Sequence, residues 1–235
     1  LPGENISDSK IHSQIARLNT DFRNLNSETN QIPSQVPAPW INLPADVKVE
    51  FRLACIDPGG NLTNGILRKS TTNAIFFRTN YYDVKLTSEG GDDAWPTNTY
   101  LNIWVCDIED LIGHSMYPWV YGGTTTNTTT NLPIQDSLLD GIVLDYTVTG
   151  DPNEHQSKNK GRVGVHEAGH WLGLYHTFLS GCNDGDQVSD TPPQHIFTSE
   201  YFPCPVFPTI SCNNGPNGNM FMNYMDYTPD ACMFM

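Results

Sequence analysis

Apolar residues return every three or four positions in SKIHSQIARLNTDFRNLN, starting at Ser9. Ile11, Ile15, Leu18, Phe22 and Leu25 fall on one helical face, and Ser7, Asp8 and Ser9 can cap the first turn. The period then breaks: NQIPSQVPAPWINLP carries four prolines and reads as irregular chain. VKVEFRLAC (47–55), TNAIFF (72–77), YLNIWVCDI (100–108) and GIVLDYTV (141–148) are rich in β-branched and aromatic residues and predict strands. DPGGN and SEGGDD read as turns, and TTTNTTTN (124–131) as a polar loop. A second helix follows in GVHEAGHWLGLYHTF (164–178), after which glycine, proline, cysteine and asparagine dominate and no long periodic run remains. Helix, strands, then helix predict an α/β (α+β) fold with a mixed sheet. One domain is expected over 1–235, with an N-terminal subdomain (1–177) and an irregular C-terminal one (178–235).

Composition narrows the class. With 235 residues and 38% hydrophobic content the chain can bury a sizeable core. No run approaches the roughly 20 apolar residues of a membrane span. LPGENISDSK lacks both an initiator methionine and the features of a signal peptide, which reads as the start of a processed form. A net charge of −14 excludes the basic footprint that nucleic acid requires. All twelve Lys and Arg lie at or before Arg162, whereas seven carboxylates follow it, so the last third of the chain attracts cations. Four of the six cysteines (Cys182, Cys204, Cys212, Cys232) stand in turn-rich sequence near the C-terminus and read as disulfides of an exported protein; Cys55 and Cys106 could form a third bridge or remain thiols.

Three of the seven histidines crowd into residues 166–176. His166 and His170 are one helical turn apart and share a face, so their imidazoles can hold one metal ion. His176 cannot reach that face from the same straight helix, because six residues rotate by roughly 240° and rise about 9 Å. Gly173 can take positive φ, end the helix and return His176 to the other two. Three imidazoles leave a tetrahedral zinc ion one position for water, the layout of a catalytic site, and Glu167 stands beside as general base. A chance match to these five residues is on the order of one in ten thousand for a chain of this length.

H-E-x-x-H-x-x-G-x-x-H followed by a methionine turn is the metzincin signature, and FMNYMDYTPDAC (221–232) supplies the methionine in Met225. Beyond that motif the chain resembles the pappalysin family of metzincins, in particular its short, ulilysin-like bacterial and archaeal members. The resemblance runs through VEFRLACIDPGGNLTNGILR, YLNIWVCDI, DGIVLDYT, HEAGHWLGLYHTF, GCNDGDQVSDTP and NYMDYTPDAC. It implies a metzincin-like catalytic domain: a twisted mixed sheet with a backing helix and an active-site helix, then an irregular, disulfide-stapled subdomain. It also implies zinc on His166, His170 and His176, Glu167 as base, Met225 beneath the metal and Tyr227 as a stabiliser of the oxyanion. Asp230 would floor the S1′ pocket and select Arg or Lys after the cut bond, helped by a rim free of competing cations. Calcium would bind at Asp186, Asp190, Thr191 and the carbonyl of Val188. Gly113, His114, Ser115 and Met116 would form the edge strand that pairs with an extended peptide. Within the same reading the late cysteines pair as Cys182–Cys212 and Cys204–Cys232.

The expectation is a secreted, monomeric zinc- and calcium-dependent endopeptidase acting on extended peptides. Two rivals remain open: a metzincin preferring apolar residues after the cut, and a catalytically silent zinc- and calcium-bearing binding module.

Overall fold

Ser7 opens helix α1 (Asp8–Phe22): its hydroxyl accepts the Lys10 N–H at 3.3 Å, and Asp8 places a carboxylate in the first turn, where the helix dipole favours it. The computed structural model describes residues 3–28, 40–73, 75–76, 82–120, 123–126, 133–198 and 203–235. The helix stops before the apolar stripe does. Asn24 turns to φ 51°, its N–H bonds to Asp21 O, and Leu25 N–H reaches back to Thr20 O, which leaves Leu25 73% exposed.

Strand β1 (Ile103–Cys106) pairs in parallel with β5 (Ile142–Asp145), and β2 (Gly113–Ser115) pairs antiparallel with the other side of β5. The order β1-β5-β2 makes a mixed sheet with all four residues of β5 buried. That is why IVLD is nearly continuous apolar sequence. Two strand expectations change. Residues 47–55 form no ladder among the described residues; instead Asn19 on α1 holds both backbone groups of Phe51, at 2.9 and 2.7 Å. A side chain there does the work of a neighbouring strand. The start of the expected polar loop is in fact strand β3 (Thr124–Thr126), paired antiparallel with β4 (Pro133–Gln135); β-branched threonine suits a ladder. Phe76 bridges in parallel to Ile108, while 74 and 77 of that predicted strand lie outside the described residues, as does all of 31–39.

Helix α2 (Arg162–Trp171) packs between α1 and the sheet. Leu18 and Phe22 from α1, Ile142 and Leu144 from β5, and Val163, Val165 and Ala168 from α2 make one core. The two helices are also pinned by polar contacts. Gln14 donates to Gly161 O at 2.9 Å and accepts from Gly150 N–H at 2.8 Å, with Gly164 so close that a Cβ there would lie 2.3 Å from its amide nitrogen. Arg162 is buried beside Asp21 and Glu28.

After α2 the described chain consists of turns, one short 3-10 segment (Asp230–Cys232) and no strand. Its own core gathers Met220, Phe221, Met222 and Phe234 around Trp40. Disulfides join Cys182 to Cys212 and Cys204 to Cys232, the expected pairings, while Cys55 and Cys106 are free. Irregular chain with few ladders depends on such links, because they remove freedom from the unfolded state.

Candidate metal centre and active-site cleft

His166 and His170 point from one face of α2, and the helix then ends in a Schellman motif. Gly173 N–H bonds to His170 O at 2.9 Å, Leu174 N–H to Gly169 O at 2.9 Å, and Gly173 has φ 100°. The reversal brings His176 back, so that its Nε2 lies 3.1 Å from Nε2 of His166 and 2.9 Å from Nε2 of His170. Nitrogens around a tetrahedral zinc, each about 2.0–2.1 Å from the ion, are about 3.3 Å apart. The Nδ1 atoms of His166 and His170 face the carbonyls of Tyr224 and Leu174, both at 2.7 Å. A proton on each Nδ1 satisfies those carbonyls and leaves the Nε2 lone pairs directed at His176. Burial lowers the pKa of all three imidazoles, that of His176 to about 3, which keeps them neutral as ligands must be. Three converging lone pairs repel unless a cation sits among them, so the donor set fits zinc. Among the described residues this is the one group of three or more His, Cys, Asp or Glu able to share an ion.

Glu167 is buried next to the triad, at the wall of a cleft of about 680 Å³. Burial pushes its carboxyl up to about 8, with the Lys85 charge pulling the other way. Gly113 of β2 abuts it: a Cβ at Gly113 would lie 2.7 Å from Glu167 Oε1. β2 is the edge of the three-stranded sheet and lines the cleft through Gly113, His114 and Ser115. The Ser115 side chain is buried, so what this edge can offer there is backbone, while Met116 lies beyond the strand, its side chain buried and its N–H bonded to Gly141 O at 3.4 Å.

Met225 is buried against α2. A Cβ at Gly169 would lie 2.5 Å from its sulfur, which explains a glycine inside the motif, and Met225 O accepts the Thr177 N–H at 3.3 Å. Tyr227 stands beside the triad, its ring 4.9 Å from that of His176 and 5.7 Å from that of His166. Between them Asp226 is fully buried, accepting from Gln194, Thr198 and the Tyr227 N–H. This carboxylate fixes the turn that carries both residues.

Asp230 lines the same cleft. Its Oδ2 accepts the N–H groups of Lys160 and Arg162 at 2.8 and 3.2 Å, while Oδ1 is buried with no hydrogen-bond partner among the described residues. The cation-free rim expected from the linear charge map is not what the fold builds. Lys158 and Arg162, two of the last three cations before the gap, fold back to line the pocket beside Asp230. Charge distribution along a chain does not survive a turn of the chain.

In the Cys182–Thr191 loop, Asp186 is buried and its Oδ1 accepts Val188 N–H at 3.0 Å. Thr191 hydrogen-bonds to the same carboxylate, and Asp190 is exposed. Three residues carried no sequence signal: Tyr117 and His155 line the cleft, and Lys85 lies outside its lining but acts on Glu167 by charge. Tyr117 places its hydroxyl 3.2 Å from His170 Nδ1. Lys85 is fully buried, its ammonium bonded to the carbonyls of Leu139 and Gly141 and standing 5.0 Å from the Trp104 ring centre. His155 accepts the N–H groups of Ser157 and Lys158 on Nδ1, which leaves Nε2 as a donor at the cleft wall. Each is distant in sequence from the motif and of a type that commonly serves elsewhere.

Residues 85–235 match the profile of a peptidase family, M43, described as pregnancy-associated plasma protein-A. An extracellular metalloprotease of Verticillium alfalfae is 39% identical over 232 residues, covering 97% of this chain and 63% of the relative. One from Neurospora crassa is 34% identical over 143 residues, covering 56% of this chain and 42% of the relative. The chain thus spans less than two thirds of the length of these relatives. Among solved structures, mature mirolysin of Tannerella forsythia in complex with a cleaved peptide superposes with a TM-score of 0.86 at 39% identity, over 100% of this chain and 82% of that one. Promirolysin from the same organism aligns with the same TM-score over 99% of this chain and 71% of that one.

Proposed function

Since the chain belongs to the M43 peptidase family, that of pregnancy-associated plasma protein-A, we propose that it is a secreted zinc endopeptidase cutting before Arg or Lys in extended peptides. The observation that carries this reading is the convergence of three imidazole Nε2 atoms beside one buried carboxylate. Extracellular relatives and two disulfides support secretion.

His166, His170 and His176 hold the ion, and zinc, when bound, supplies Lewis acidity that polarises the scissile carbonyl and acidifies the attacking water. Glu167 takes the proton from that water and passes it to the leaving amine; its buried carboxyl holds a proton more readily than an exposed one, which suits it to both transfers. Tyr227 donates its hydroxyl to the oxyanion of the tetrahedral intermediate. The edge of β2, from Gly113 to Ser115, pairs with the substrate backbone. Asp230 offers its unpartnered Oδ1 to the side chain after the cut. Asp186, Asp190, Thr191 and the carbonyl of Val188 would hold a structural calcium ion, which would brace the loop closed by Cys182.

Glu167→Gln tests the mechanism. The variant should keep its zinc, measured by metal analysis, and lose about 10²–10⁴ in kcat/KM on a casein-derived peptide. Full activity would overturn the assignment. One observation favours a second reading, a taste for apolar residues after the cut: Lys158 and Met233 share the pocket with Asp230. Mass-spectrometric mapping of cut sites in a peptide library separates the two.

A further inference from the structure

Three aromatic rings stand together past the end of β2. Tyr117 and Trp119 stack with ring centres 4.5 Å apart and planes within 14°, and the Tyr175 ring lies 5.4 Å from the first and 4.9 Å from the second. Tyr117 lines the cleft, and its ring meets that of His170 at 5.2 Å. Trp119 carries the cluster outward from there. It abuts the turn at Gly173, where a Cβ would lie 3.3 Å from the indole, and it is 51% exposed. Leu172 and Leu174, on either side of that glycine, are exposed as well, so apolar surface gathers at this turn. The inner ring of the cluster touches a zinc ligand and the outer ring faces solvent, which makes the patch a continuation of the cleft.

Helix α2 gives the patch a place relative to the cut bond. Asp230 accepts the Arg162 N–H at the start of α2, whereas Tyr117 meets His170 near its end, and a helix rises about 12 Å between those two residues. β2 runs the same way, with Gly113 against Glu167 and Tyr117, beyond the strand, against His170. A peptide whose side chain after the cut reaches Asp230 therefore comes from the Tyr117 end and lies antiparallel to β2, a pairing that a sheet edge accepts. Gly173 stands about 7–8 Å along the helix from the midpoint of His166 and His170. An extended chain advances about 3.3 Å per residue, so two to three residues separate the cut bond from the Trp119 ring. Resting on the proposed reading of the cleft, with Asp230 on the far side of the metal, we propose that Trp119, backed by Tyr117 and Tyr175, is a binding site for an apolar side chain two or three positions before the cut. The groups that meet the indole are rings, Pro118 and the bare backbone of Gly173, so what the site offers a ligand is apolar and aromatic area.

Matched peptides with Arg after the scissile bond carry Phe, Arg or Ser at the second or the third position before it and are compared by kcat/KM on the zinc-loaded enzyme. The Phe-to-Ser ratio is the readout, since a change in folded fraction or zinc content scales both substrates alike. The wild type should show a ratio of at least about fivefold at one of the two positions. Trp119→Ala should bring that ratio within about twofold, while Trp119→Phe keeps a ring and should retain most of it. A wild-type ratio near one at both positions, or a ratio that Trp119→Ala leaves unchanged, overturns the proposal. Arg outranking Phe there would overturn the apolar class of the ligand. In a further series Phe and Ser alternate two positions after the bond; if Trp119→Ala moves the ratio there and not before the bond, the proposal fails on direction. A last pair, with Leu in place of Arg after the bond, reports separately: if it is cut as well as its Arg counterparts, the Asp230 reading fails, and its own Phe-to-Ser ratio still reads Trp119.

Discussion

Gly169 and Gly173 stand four residues apart and are required for different reasons. At Gly173 the constraint is backbone: φ of 100° is a conformation that side chains with a Cβ rarely adopt. Gly173→Ala should cost about 1–2 kcal/mol by denaturant unfolding and weaken zinc binding in competition with a chelator, because it displaces His176. At Gly169 the constraint is space, with the Met225 sulfur 2.5 Å from where a Cβ would stand. Gly169→Ala should cost about 1–3 kcal/mol by overpacking, and Met225→Ala in the same chain should recover part of that loss. A double-mutant cycle showing strict additivity would break the link between these two residues. The sequence motif names Gly173 and leaves position 169 open, so the contact requirement at Gly169 is visible only in the coordinates.

At the scale of elements, the junction of α1 and α2 is held by charge as well as apolar packing. Arg162 at the start of α2 meets Asp21 near the end of α1, and Glu28 accepts from Lys160 at 2.6 Å. Truncating Arg162 to Met removes the most deeply buried cation of this network, leaving Asp21 with Arg17 at 3.2 Å and Glu28 with Lys160, and should cost about 3 kcal/mol, read from the unfolding midpoint. Burial alone would raise the Glu28 carboxyl, but the Lys160 hydrogen bond and the Arg162 charge outweigh it and hold the pKa at about 2 against an ordinary 4.5. A carboxyl depressed by folding stabilises the protein fully above its unfolded pKa, and that stability is lost as pH falls from 4.5 towards 2. Glu28→Gln should therefore lower stability at neutral pH and have little effect near pH 2, as followed by thermal unfolding across that range. The amphipathic period of α1 was legible, and so were β1 and β5. Residues 47–55 misled because a β-rich composition does not say whether the neighbour is a strand or, as here, one asparagine.

For the molecule as a whole, the zinc ligands tie the N-terminal layers to the irregular half. His176 lies beyond α2, and the carbonyl that orients His166 belongs to Tyr224, next to Met225. Removing zinc with a chelator should lower Tm and abolish proteolysis together, since a ligand bound to the folded state alone stabilises it by mass action. Cys182→Ser with Cys212→Ser opens a link of 30 residues in sequence and should cost about 3 kcal/mol, with looser structure confined to the C-terminal half by hydrogen exchange. The metal centre was readable from a linear string because its geometry is local: helical pitch aligns two ligands and a positive-φ glycine returns the third within eleven residues. The pocket was not, since its charge is a sum over space. Asp230, Lys158 and Arg162 are separated by up to 72 positions in the chain and meet only because the turn after Met225 folds back over the approach to α2. Local periodicity and motif spacing determined the helices, the central strands and the chemistry at the metal. Tertiary structure decided which charges share a pocket, and with them what that pocket selects, because Coulomb interactions depend on distance through space and not along the chain.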